Sequence, residues 1–247
     1  MRIDVVTIFP EMVEQALGFS IMERARASGV VEFGVSNPRD WALDRHRMVD
    51  DAPYGGGAGM VMKPEPLVAC VEALVGENAG VPVILMTPQG VPFSQRGAER
   101  LSRHERLVIV CGHYEGVDER VRETVITEEI SVGDYVLTGG ELPALVVIDA
   151  VVRLLPGAVG NEQSPACDSF ADGLLEHPHY TRPQEFRGLL VPQVLSRGHH
   201  EEVRRWRRQL SLLRTYRRRP DLLARAELTE EDRDLLAEAL ETMRDER

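Results

Sequence analysis

Cysteine is scarce in this chain of 247 residues: Cys70, Cys111 and Cys167 are odd in number and far apart. That spacing excludes a disulfide framework and offers no zinc knuckle, so a reducing cytoplasm is the expected compartment. Cys70 and Cys111 read as small buried hydrophobes. Long apolar runs are also missing, since none approaches the roughly 20 residues that a bilayer-crossing helix needs. A membrane is therefore not an expected partner. The amino terminus has one Arg followed by strand-like residues and no cleavage pattern, which predicts no secretory signal. An excess of positive charge is absent too, the formal net charge being −11.

That total hides an uneven distribution. Between Arg197 and Arg219, nine arginines stand against Glu201 and Glu202, with Trp206 and Tyr216 interleaved. After Pro220, ten Asp or Glu residues outnumber four Arg. A basic stripe on an acidic protein still attracts phosphates, because exposed charges are screened beyond about 8–10 Å. Arg204, Arg205 and Arg208 are the expected contacts to a nucleic acid, against the alternative of a solvated helix face.

Residues 1–160 alternate apolar strands with helical patterns, the signature of an α/β domain with a mainly parallel sheet. Strands are expected near 3–8, 31–35, 83–86, 107–111 and 124–130, and helices over 12–17, 21–27, 65–75, 94–104 and 142–154. The segment 37–60 is long, turn-rich and charged, and such loops tend to be functional. Residues 161–175 carry Ser, Pro, Gly and acidic residues without a helical period and read as a flexible linker. Residues 176–247 read as a small helical domain with a basic helix over 199–218. There, Thr229-Glu230-Glu231-Asp232 resembles a capping box opening a last helix, whose apolar positions are Leu235, Leu236, Leu240 and Met243.

Three segments in the first domain run from an apolar strand into a glycine- or proline-bearing loop. One carries Met86, Thr87, Pro88 and Gln89, and a second carries Gly112, His113, Tyr114 and Glu115. The third runs Ser131, Val132, Gly133, Asp134, Tyr135, Val136, Leu137, Thr138, Gly139, Gly140, Glu141, Leu142, Pro143. Open α/β sheets bind ligands beyond the carboxyl ends of their strands. Glycine lets backbone groups approach a ligand closely, and apolar walls between such turns suit a flat heteroaromatic ring. Taken singly, each segment is equally a turn-rich connection to a buried helix.

Other patterns fail on inspection. Gly55-Gly56-Gly57-Ala58-Gly59 is no phosphate-binding loop, since Lys63 lacks a following Ser or Thr and no strand precedes the glycines; a hinge is the better reading. His177, His179, His199 and His200 have no converging carboxylates or thiolates, so no metal site is expected. Ser164, Asp168 and His177 lack a nucleophile elbow and do not form a hydrolytic triad.

The three loops resemble those of the bacterial tRNA (guanine-N1)-methyltransferase family, a branch of the SPOUT trefoil-knot methyltransferases. The likeness extends over nearly the whole chain, through Ile8-Phe9-Pro10-Glu11-Met12, Pro38-Arg39-Asp40, Asp44-Arg45-His46-Arg47, Pro53-Tyr54-Gly55-Gly56-Gly57, Asp168-Ser169-Phe170 and Pro178-His179-Tyr180-Thr181-Arg182-Pro183. The resemblance implies a deep trefoil knot threaded through the three loops, which no sequence rule would propose. It implies S-adenosylmethionine as methyl donor, held by the three loops, and N1 of guanosine-37 in tRNA as acceptor. Asp168 matches the family's general base and Arg153 a neighbouring catalytic arginine. Glu115 and Ser164 match substrate contacts. A homodimer sharing its active sites is implied, and Mg2+ without a dedicated ligand cluster. His113 departs from the Arg of many relatives, Glu176 from the Asp of some, and Cys167 is a local variation. Methylation of ribose or another base, or RNA binding without catalysis, are the competing readings.

Overall fold

The computed structural model describes residues 1–78, 80–160 and 168–245, with the side chains of 243–245 left aside. The chain divides into two compact units, Met1–Glu162 and Gln163–Arg247.

The first unit is built on a five-stranded sheet of β1 (Arg2–Val6), β2 (Glu32–Ser36), β5 (Val83–Pro92), β6 (Arg106–Cys111) and β7 (Glu128–Ser131), in the order β2-β1-β6-β5-β7. Every pairing in it is parallel. A parallel sheet is covered on both faces, so its strands read as nearly unbroken apolar runs. Alternation along β5 and β6 divides the core accordingly. Ile84, Met86, Leu107, Ile109 and Cys111 face one layer, with α1 (Pro10–Leu17), α2 (Ser20–Ala27), α4 (Gln95–Leu101) and α6 (Glu141–Val152). Val83, Leu85, Val108 and Val110 face the other, with α3 (Pro64–Val75) and α5 (Glu119–Thr124). Asp4 is buried within β1, where Arg2 and Arg106 hold its carboxylate at 3.0 and 2.8 Å.

Some boundaries differ from the sequence expectation. β5 does not give way to a loop after Met86; it stays extended to Pro92, with a register break against β7 between Met86 and Val91. Pro88 and Gly90 fall at that irregularity, where a ladder hydrogen bond is dispensable. The strand expected over 124–130 starts only at Glu128, because Asp118 caps α5 by accepting from Arg120 N at 2.9 Å and the helix runs to Thr124. The helices expected over 94–104 and 142–154 end at Leu101 and Val152. Within 37–60, Pro38–Trp41 forms a 3-10 turn, and β3 (Asp50–Asp51) pairs antiparallel with β4 (Val61–Met62).

In the second unit, a small hairpin of β8 (Glu185–Phe186) and β9 (Leu189–Leu190) precedes α7 (His200–Arg218), α8 (Pro220–Leu223) and α9 (Glu230–Asp245). Leu174, Leu212 and Leu235 form its buried centre. Thr229 and Asp232 cap α9 reciprocally: Asp232 N donates to Thr229 Oγ1 at 3.1 Å, and Thr229 N donates to the Asp232 carboxylate at 3.0 Å.

Candidate donor site at the strand ends

Beyond the carboxyl ends of β6 and β7, and beside the irregular Met86–Gln89 part of β5, lies a cavity of about 260 Å³. Its wall includes Met86, Thr87, Pro88, Gln89, Gly112, Tyr114, Glu115, Val132, Gly133, Tyr135, Val136, Leu137, Gly139, Gly140 and Pro143, so the three loops singled out in the sequence converge on one space. Asp134, also expected there, is exposed and outside this lining.

Local chemistry explains the shape of each loop. After β7, Ser131 Oγ donates to Gly133 O at 3.1 Å and accepts from Gly133 N at 3.2 Å, which folds the chain back. The Tyr135 hydroxyl then donates to Val132 O at 3.2 Å. Gly140 approaches β6 so closely that a Cβ would stand 2.7 Å from Cys111 Cα, and its N–H donates to Gly112 O at 2.8 Å. After β6, Tyr114 adopts φ +60°, a left-handed conformation that is uncommon for a bulky side chain and is found where the surroundings enforce it. The glycine-rich segment leans on this same loop: Glu115 N donates to Met60 O at 3.0 Å and Met62 N to Gly116 O at 2.9 Å.

Three residues here have no site role in the sequence reading, although His113 and Glu141 stand in the segments it singles out. His113 lines the cavity and packs edge-on against Phe9 and Tyr114, each at 5.0 Å between centroids. Arg122 lines it from α5 and pairs with Glu129. Glu141 is buried behind the wall and accepts from Thr7 Oγ1 at 2.7 Å. The available signal for Glu141 is a carboxylate opening a mostly apolar helix.

The remaining predicted residues lie elsewhere. Arg153 is half-buried at the carboxyl end of α6, its N–H donating to Asp149 O at 3.2 Å. Asp168 is half-buried at the start of the described part of the second unit. Ser164 and Cys167 lie outside the described residues, as does the 161–167 part of the expected linker. On α7, the three arginines expected to meet nucleic acid hold carboxylates of their own unit. Arg204 pairs with Glu201 and Glu231, both at 2.7 Å. Arg205 lies 3.8 Å from Glu238, and Arg208 pairs with Asp172 and, at 2.6 Å, Asp232. Tyr180 and Trp206 lie near one another, with centroids 6.2 Å apart. Among the described residues no group of three or more His, Cys, Asp or Glu side chains could hold a metal ion.

A parallel sheet whose loops enclose a glycine-floored, largely apolar cavity defines an α/β domain with a ligand-sized pocket at one end of its sheet. Residues 1–225 match the family model described as tRNA (Guanine-1)-methyltransferase TrmD. A tRNA (guanine-N(1)-)-methyltransferase of Moorella thermoacetica is 61% identical over 240 residues, covering 96% of both chains. That of Pelotomaculum thermopropionicum is 58% identical over 245 residues, 98% of both. That of Bacillus subtilis is 53% identical over 239 residues, 96% of this chain and 98% of its own. The chain belongs to the TrmD family of tRNA methyltransferases.

Proposed function

We propose that this chain transfers a methyl group from S-adenosylmethionine to N1 of guanosine-37 in tRNA. As a family member it is a tRNA (guanine-N1)-methyltransferase; the donor, the position and the residue roles are our reading. The observation that carries it is the cavity itself. Its walls of Pro88, Val132, Leu137 and Pro143 and its glycine floor suit an adenine ring bounded by backbone. When bound there, S-adenosylmethionine supplies a methyl group on a sulfonium, which needs no metal for activation.

The chain's own residues do the rest. Guanine N1 carries a proton and is a poor nucleophile until that proton leaves. Asp168 accepts it as the base. Negative charge then grows on guanine O6, where the Arg153 guanidinium stabilises it. Glu115 and Ser164 read the guanine edge, and the base leaves the anticodon stack to be reached, as enzymes acting on bases require.

The chain works in this reading as a homodimer, one subunit offering the cavity and its partner Asp168 and the helical domain. Phe9, Met12, Leu142 and Val146 support it, being exposed apolar side chains on and beside the adjoining helices α1 and α6. The close passage of Gly140 over Cys111 supports a trefoil knot through the three loops. Residues 1–160 form the knotted donor domain, 161–175 the catalytic linker and 176–247 the tRNA-binding helical domain. With Arg204, Arg205 and Arg208 engaged inside that domain, they reach phosphates only by sharing or exchanging those carboxylates. No helix among the described residues is long and apolar enough to cross a membrane, and tRNA as substrate makes the cytoplasm the working compartment.

Labelled S-adenosylmethionine and two tRNA transcripts, with guanosine or adenosine at position 37, test this with and without Mg2+. Label in the guanosine transcript alone, mapped to N1, supports the reading. Label in both moves the target elsewhere, and label in neither under any condition rejects catalysis.

A further inference from the structure

The first unit holds a carboxylate that the chemistry above does not use. The Glu141 side chain, at the first turn of α6, is only 4% exposed. Its Oε1 accepts from Thr7 Oγ1, just past β1, and Thr7 Oγ1 in turn accepts from Phe9 N at 2.9 Å. Its Oε2 lies 4.0 Å from His113 Nδ1, too far for a hydrogen bond, and that ring nitrogen is buried with no hydrogen-bond partner among the described residues. No lysine or arginine pairs with Glu141 among the described residues. A buried carboxylate without a cation is costly, and the amino terminus of α6 offsets only part of that cost.

The position of this charge is what matters. Gly139 belongs to the cavity wall, and a Cβ on it would overlap Glu141 Oε2 and stand 2.5 Å from His113 Nδ1. A single glycine therefore separates the carboxylate from the cavity. Its field is already felt by a neighbour: burial first, and then Glu141, push the Cys111 thiol well above its ordinary range. Five other ionisable side chains border the space: Glu115, Tyr114 and Tyr135 are exposed to water, Arg122 is engaged with Glu129, and His113 is the imidazole beside Glu141.

We propose that Glu141 is a specificity-determining residue of the donor site, its charge acting across Gly139 to favour a cationic ligand over the neutral counterpart. This rests on reading the cavity as the donor site. Donor and spent product differ by one methyl group, and with it by one positive charge, since the sulfonium becomes a thioether. A fixed carboxylate behind the wall then holds S-adenosylmethionine and loosens S-adenosylhomocysteine once transfer is complete.

Calorimetry on the full chain with both ligands tests it. Glu141→Gln keeps the shape and an acceptor for Thr7 while removing the charge. It is expected to weaken S-adenosylmethionine about tenfold, as one screened unit charge nearby would, and to leave S-adenosylhomocysteine within about twofold. Equal weakening of both ligands, or no change in either, overturns the proposal. Thr7→Val removes the hydrogen bond but keeps the charge, so the wild-type ratio of the two affinities must persist. A shifted ratio there overturns the proposal as well, and this arm stands even if Glu141→Gln does not fold. A wild-type protein that binds neither ligand refutes the donor reading itself, before any variant is compared.

Discussion

Gly140 and Cys111 are packed backbone to backbone, with the place of a Gly140 Cβ only 2.7 Å from the Cys111 Cα. Neither side can yield cheaply, because Cys111 is fully buried in a central strand. Gly140→Ala is expected to cost about 1–3 kcal/mol of stability through overpacking. It should also weaken S-adenosylmethionine by tenfold or more, since Gly112 and Gly140 form one floor. Thermal unfolding and calorimetry read both effects; normal affinity with normal stability would contradict the close passage.

In the proposed mechanism Asp168 and Arg153 act on the guanine and not on the methyl donor. Asp168→Ala should lower single-turnover methyl transfer by about 10²–10⁴, the usual weight of a positioned base. Arg153→Ala should lower it through lost charge stabilisation at O6, and Arg153→Lys should recover only part of it. S-adenosylmethionine affinity should be unchanged in all three. A turnover equal to wild type in Asp168→Ala would remove it as the base.

Acid should loosen the second unit at a definable pH. The Arg208 guanidinium, followed by the capping contacts to Thr229, holds the Asp232 carboxyl down at about 2. A depressed carboxyl contributes stability above its unfolded value, near pH 4, and that contribution disappears as pH falls toward 2. Asp232→Asn should therefore cost about 2 kcal/mol at neutral pH and flatten the stability profile between pH 4 and 2. Far-ultraviolet dichroism during urea melts at several pH values measures this.

The two buried thiols should be unreactive. Burial pushes the Cys70 thiol up to about 12 and raises Cys111 as well, so little thiolate exists at neutral pH. Iodoacetamide at pH 8 should leave both unmodified in the native protein and alkylate both after denaturation. Peptide mass mapping distinguishes them, and rapid native labelling of either would mean the sheet opens there.

What the sequence made legible was governed by local rules. Strand-end loops showed through the glycines at 112, 133, 139 and 140, and the α9 cap through the Thr229–Asp232 spacing. The extension of β5 past Pro88 did not show, because proline and glycine ordinarily end a strand. α5 did not show because its six residues fall below a period one can count. The neutralisation of Arg204 and Arg208 by Glu231 and Asp232 spans 27 and 24 residues, and a charge count sums such residues without pairing them. The left-handed Tyr114 and the buried Glu141 arise from crowding between distant segments, which no local pattern carries.

The place of β1 in the sheet has a consequence for the birth of the chain. Its register partner on the inner side is β6, with Ile3 opposite Leu107. At ribosomal rates of about 5–20 residues per second, the first strand is made some 5–20 s before its neighbour. Through that interval β2 can cover only one edge, and the other remains an open apolar template. Slower translation before Arg106 should therefore raise the aggregated fraction, because the nascent edge is open for longer.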